Sequence, residues 1–178
     1  PRHHGRRRRT RTAKVVAVRR LTTGGRCDHA PVQRVSIMGN AGSGKTTLAR
    51  SLADRLGIAH VELDAVHHLA GWTPIDPQEF RRTVTALADE DSWVIDGNYG
   101  VVRDIVLARA DTVVLLDLPK PVVMAQVIRR TLRRVASGEE LWNGNREQWR
   151  DLLLLRKEDN IVLWAWTQHR KYRRRYLD

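Results

Sequence analysis

Apolar positions recur along this chain with two different periods, and the switches between them mark the elements. Val35-Ser36-Ile37-Met38 is a short β-prone run that leads directly into a glycine-rich stretch. Leu48, Leu52 and Leu56 then recur at four-residue spacing, which predicts a helix over Thr46 to Leu56 closed by Gly57. Ile58 to Leu63 predicts a second strand ending at Asp64, and residues 65–78, broken by Pro74 and Pro77, read as irregular. Phe80, Val84 and Leu87 set a helix over Gln78 to Asp89. Trp93-Val94-Ile95 is a third strand ending at Asp96-Gly97, followed by a short helix over Val101 to Arg109. The most apolar run, Thr112-Val113-Val114-Leu115-Leu116, predicts a buried strand. Pro121 opens the next helix, which runs to about Ala136 and ends near Gly138. Gly138 to Asn145 is a polar loop, and a helix rich in Leu and Trp is expected from Glu147 to about Thr167.

Strands alternating with helices at this spacing predict an α/β three-layer sandwich, a parallel sheet flanked by helices. Ligands of such sheets bind at the carboxyl ends of the strands. Lys45, Asp64 and Asp96 each fall just past a strand, so all three are expected at that edge.

Composition narrows the picture. The 178 residues are 42% hydrophobic, enough for one domain with a real core. Apolar runs such as Leu152-Leu153-Leu154-Leu155 are soon interrupted by charge, so no stretch reaches the roughly 20 residues of a membrane helix and no membrane partner is expected. Cys27 is the single cysteine, which rules out a disulfide within the chain and points to the cytoplasm. The net charge of +12 is unevenly placed. Residues 1–34 hold 11 Lys and Arg against one acid, and residues 170–178 hold five against one. The body between them is nearly neutral, with 16 bases and 18 acids. The chain therefore divides into a basic, disordered extension at 1–33 and a domain at 34–178. Any nucleic-acid binding is expected to be weak, non-specific and confined to the basic ends.

The chemistry is concentrated in Gly39-Asn40-Ala41-Gly42-Ser43-Gly44-Lys45-Thr46, which has the spacing G-x-x-x-x-G-K-[ST] between a strand and a helix. Glycines let the backbone wrap phosphates with its N–H groups turned inward, and the helix N-terminus adds partial positive charge. Lys45 then serves the β- and γ-phosphates, the Thr46 hydroxyl is a magnesium ligand, and Thr47 closes the nucleotide-binding run. The expected cofactors are ATP and Mg2+.

Three stretches in order, GNAGSGKTTLA (39–49), SWVIDGNYG (92–100) and ADTVVLLDLP (110–119) with its following arginine-bearing helix, resemble the adenylate-kinase-like P-loop kinases. HVELDAVHHLAGW (60–72), the DGNY tetrapeptide and the LWAW-plus-arginine ending resemble a bacterial branch of them, the DNA topology modulation (FlaR-like) or adenylate-kinase-related ATPases. The resemblance implies transfer of the ATP γ-phosphate to a small-molecule acceptor. The alternatives are a nucleotide-dependent, DNA-associated ATPase and a nucleotide-binding protein without chemistry. The same resemblance implies that Asp96 holds magnesium through water, that Gly97 admits the acceptor, and that Asn98 and Tyr99 hydrogen-bond it. Asp64 lies where related small-molecule kinases keep an acid for the acceptor hydroxyl. Arg129, Arg130, Arg133 and Arg134 form two i, i+4 pairs, with Arg129 and Arg133 the expected catalytic pair and residues 134–146 the lid. Arg103, with Arg81 and Arg82, is a candidate base on the acceptor side. His67 and His68, as adjacent residues, point in different directions and do not make a metal pair; Trp164 and Trp166 are expected to pack. Kinases of this group continue into another strand and helix, whereas this sequence stops at Asp178, so the C-terminal strand is expected to be missing, the alternatives being a truncated fragment and an unprotected sheet edge.

Overall fold

The computed structural model describes residues 14–20, 31–150 and 160–176. The arginine run 6–9, Cys27 and the leucine run 152–155 lie outside the described residues. Strands β1 (Lys14–Arg20), β2 (Arg34–Gly39), β3 (Ala59–Glu62), β4 (Trp93–Asp96) and β5 (Thr112–Asp117) form one sheet in the order β1-β5-β2-β4-β3. The last four are mutually parallel, and β1 runs antiparallel to β5. The helices are α1 (Lys45–Leu56), α2 (Leu63–His67), α3 (Pro77–Asp89), α4 (Arg103–Arg109), α5 (Lys120–Ser137) and α6 (Ile161–Tyr176).

Side-chain alternation explains the layering. On β2, Val35 and Ile37 join Ala49 and Ala53 of α1, Val114 and Leu116 of β5, and Val123 and Val127 of α5 in one cluster. Trp93 and Ile95 of β4 project to the other face, where they meet Phe80 and Val84 of α3 and Val106 of α4. The central strands are thus buried on both sides, as their unbroken apolar runs require.

The expected parallel α/β sandwich is present, with local corrections. Residues 14–20, expected to lie in a disordered extension, pair with β5 from Lys14 opposite Asp117 to Arg20 opposite Thr112. The β5 edge, left unprotected in one of the alternatives above, is therefore covered from the other end of the chain. Residues 65–78 are not irregular throughout, because α2 and a 3-10 turn at Ala70–Trp72 are built into them. The single helix expected from Glu147 to Thr167 is interrupted: Asn160 is not helical, its Oδ1 accepts from the Val162 and Leu163 N–H groups, and α6 starts afresh at Ile161 and runs on to Tyr176, while 151–159 lie outside the described residues. On α6 the inward face carries Ala165, His169 and Tyr172, so Trp164 and Trp166, expected to pack, are exposed, with the Lys120 ammonium 3.3 Å from the Trp166 ring centroid.

Candidate active site

β2 ends at Gly39 and α1 begins at Lys45, so the glycine loop spans the carboxyl edge of the sheet. Two left-handed glycines shape it, Gly42 at φ 75° and Gly44 at φ 88°. Asn40 braces its start: Oδ1 accepts from the Ala41 N–H at 2.9 Å, and Nδ2 donates to the Ala165 carbonyl of α6 at 3.2 Å. The first helical hydrogen bond of α1 runs from Leu48 N–H to Gly44 O at 3.0 Å, which leaves the preceding N–H groups at the helix mouth. Ser43 Oγ is buried without a hydrogen-bond partner, an orphaned hydroxyl that fits an anion entering the loop. Thr47 is exposed on the first turn of α1.

Lys45 Nζ donates to the Asn40 carbonyl at 3.2 Å. Desolvation pulls its pKa below the ordinary lysine value, opposed by the charges of Asp64 and Asp96 and reinforced by Arg130. Those four groups therefore sense one another across the mouth of the loop.

Asp96 closes β4 and is 2% exposed. Its Oδ1 accepts from the Thr46 hydroxyl at 3.4 Å, and its Oδ2 accepts from His60 Nε2–H at 2.9 Å. A hydroxyl and a carboxylate oxygen side by side beneath a phosphate loop are the hard donors that magnesium takes, with water completing the shell. The residues present fit that ion. His60 was not a sequence candidate. It faces Asp96 because β3 pairs with β4 in the register His60–Val94, Glu62–Asp96, which puts a long ring diagonally within reach.

Asp64 sits at the start of α2, immediately beyond β3, and accepts the Tyr99 hydroxyl at 2.7 Å. The Tyr99 ring is held between His67, at 4.4 Å between centroids, and Phe80 at 5.3 Å. Burial first, then Asp64, pushes the Tyr99 pKa far up, so it stays a donor. Gly97 has φ 142°, and a Cβ there would lie 2.7 Å from Leu63 Cβ, so strand end and α2 touch through this glycine. Asn98, expected to meet the acceptor, grips the loop instead: Oδ1 accepts from Gly39 N–H at 3.2 Å and Nδ2 donates to Gly39 O. Arg103 lines a small pocket with Gly97, Tyr99 and Leu63. Arg81 is paired with Asp104 at 2.8 Å and Arg82 with Glu79, both on the exposed side of α3.

The structure also shifts the arginines. α5 buries Val123, Val127 and Thr131, and the same stripe continues to Arg130 and Arg134. Arg129 and Arg133, the expected catalytic pair, are exposed, Arg133 reaching Glu139 at 3.4 Å. Arg130 is desolvated and feels Arg134, Glu147 and Asp64, while Arg134 binds Glu147 at 3.1 Å. The signal was present in the sequence, since Val123 and Val127 phase the helix.

Comparison with known proteins bears on the fold. The family model of the AAA ATPases (ATPase family associated with various cellular activities) matches residues 35–116, from β2 through the loop to β5. A chain of the Pnkp1/Rnl/Hen1 RNA repair complex superposes with a TM-score of 0.51 at 16% identity, over 85% of this chain and 49% of that one. The fold is P-loop kinase-like. Shikimate kinase from Bacteroides thetaiotaomicron aligns at TM-score 0.48 and 17% identity, over 82% of this chain and 81% of that one. A gluconokinase from Sinorhizobium meliloti 1021 aligns at 0.43 and 17%, over 79% and 97%. In sequence, a cytidylate kinase from Thermosipho africanus (strain TCF52B) is 50% identical over 38 residues, 21% of this chain and 17% of that protein. The match spans less than a fifth of that relative's length.

Proposed function

We propose that this protein is an ATP-dependent phosphotransferase whose acceptor is a small hydroxylated compound seated at Asp64. The observation that carries the reading is the Asp64 carboxylate, fixed by the Tyr99 hydroxyl at 2.7 Å on the same sheet edge as Lys45 and Asp96. Gly42 to Thr46 wrap the phosphates, and Lys45 neutralises the β- and γ-oxygens. Thr46 and Asp96 would hold magnesium, which would offset the negative charge of the phosphates. Arg130, seconded by Arg134, meets charge that develops on the transferring group. Asp64 orients the acceptor hydroxyl and takes its proton as the acceptor oxygen bonds to Pγ and the bond from Pγ to the β–γ bridging oxygen breaks. The acceptor side offers this carboxylate and a neutral tyrosine with Arg103 as a nearby cation, while Arg81 and Arg82 are engaged by acids, which favours a hydroxyl compound over a nucleoside monophosphate.

The test is ATP turnover screened against small polyols, sugars and nucleoside monophosphates. Turnover with a polyol that Asp64→Asn abolishes is the expected result. Turnover with AMP alone would overturn the acceptor assignment.

A further inference from the structure

Two short turns face each other above the site. Ala70–Trp72 is pinched by an antiparallel bridge between His68 and Pro74, and Trp142–Gly144 by one between Glu140 and Arg146. Each turn carries a side-chain-bearing residue in the left-handed region, Trp72 at φ 60° and Asn143 at φ 56°. For a bulky residue such as tryptophan that conformation persists only where the surroundings impose it.

The opposite turn imposes it. Asn145, 3% exposed, accepts the Trp72 N–H on Oδ1 at 2.8 Å. Its Nδ2 donates to the carbonyls of Leu69 and Trp142, both at 2.9 Å. Trp72 Nε1 donates to Arg146 O at 3.3 Å, Asn143 Nδ2 to His68 O at 2.6 Å, and Trp142 Nε1 to Glu62 Oε2 at 2.8 Å. The Trp142 ring stacks near His68 at 6.3 Å and 19°. Apart from Glu147, which Arg134 binds, the hydrogen-bond partners of the lid side chains beyond the lid and α5 belong to residues 62–72, the segment that carries Asp64. Among the described residues, no lid side chain hydrogen-bonds to 39–46.

We propose that Asn145 is a positioning residue that clasps the lid to the acceptor-side segment, so that residues 62–72 set closure over the site. The proposal rests on the phosphotransferase reading for its chemical consequence alone. With the clasp open, water reaches Pγ: its oxygen bonds to Pγ, the bond to the β–γ bridging oxygen breaks, and ADP, phosphate and a proton leave.

The test compares the full chain with Asn145→Asp, which keeps the shape and the oxygen that Trp72 uses but turns a carboxylate oxygen toward two carbonyls. Amide hydrogen exchange should rise about tenfold or more in 68–75 and 139–146 together, with β4 unchanged. Affinity for a non-hydrolysable ATP analogue with magnesium should stay within about threefold, while hydrolysis of ATP rises about fivefold. A merely structural role would lower affinity and hydrolysis together. Exchange rising in one turn alone, or affinity falling with hydrolysis, overturns the proposal. If Asn145→Asp unfolds, Asn143→Ala on the exposed side of the turn gives the same comparison. Failure of the wild type to bind the analogue would sink the phosphate-loop reading, while the paired exchange response still decides the clasp.

Discussion

Replacing Gly42 by alanine puts a methyl group where the phosphate loop meets α5. The new Cβ would overlap Val127 Cγ2 and lie 3.2 Å from the Val123 carbonyl, on a backbone at φ 75°. Gly44 provides the control, because it shares the left-handed backbone, at φ 88°, but has nothing within 4 Å of a built Cβ. Gly44→Ala should therefore lose only the conformational part, about 1–2 kcal/mol. Gly42→Ala should lose that plus overpacking of about 1–3 kcal/mol. Val127→Ala in the Gly42→Ala background should recover much of the second part, since it removes the overlapping methyl at the cost of a smaller cavity. Equilibrium urea unfolding of the four chains measures each difference. Equal losses for Gly42→Ala and Gly44→Ala, or no recovery in the double variant, would refute the packing of this loop against α5.

Lys45→Ala should abolish measurable ATP binding by calorimetry, and unchanged affinity would undo the phosphate-loop assignment. Arg130→Ala should cut ATP turnover about 100-fold while Arg129→Ala and Arg133→Ala stay within about twofold; an equal loss at Arg129 would mean that the phase of α5 is misread. His67 and His68 both titrate below the ordinary histidine value of 6.5, through burial first and, for His67, the neighbouring His68. The unfolded chain then binds more protons as pH falls below 6.5, so their contribution to stability is full above that value and is lost as pH drops toward the folded pKa values. The slope of melting temperature between about pH 7.5 and 5.5 should flatten in His67→Gln/His68→Gln, and an unchanged slope would count against their burial.

The parts of the site that could be read in sequence are those written locally. The loop at 39–46, Asp64 and Asp96 follow from a motif and from strands that end where their apolar runs end. The spacing of Phe80, Val84 and Leu87 made α3 legible in the same way, whereas Pro77, read as a breaker, opens its first turn behind Asp76, which accepts the Gln78 and Glu79 N–H groups. What stayed hidden depends on partners far along the chain. His60 reaches Asp96 only because β3 and β4 share a register, and Asn98 turns to Gly39 only because β2 and β4 are neighbours. Asn145 looks like an ordinary loop asparagine until Trp72 is placed opposite it. The arginines are an intermediate case, since apolar spacing was enough to phase the helix but a run of four similar residues concealed the answer.

β1 has a consequence in time. Among the described strands, the one that covers the β5 edge is made first, and its partner, with Asp117 opposite Lys14, follows about a hundred residues later. At ribosomal speeds β1 then waits on the order of 5–20 seconds without its β5 partner. The four parallel strands and the phosphate loop can assemble during that interval. The β1–β5 pairing can form only after β5 has been made, and the β5 edge is open to other chains until it happens.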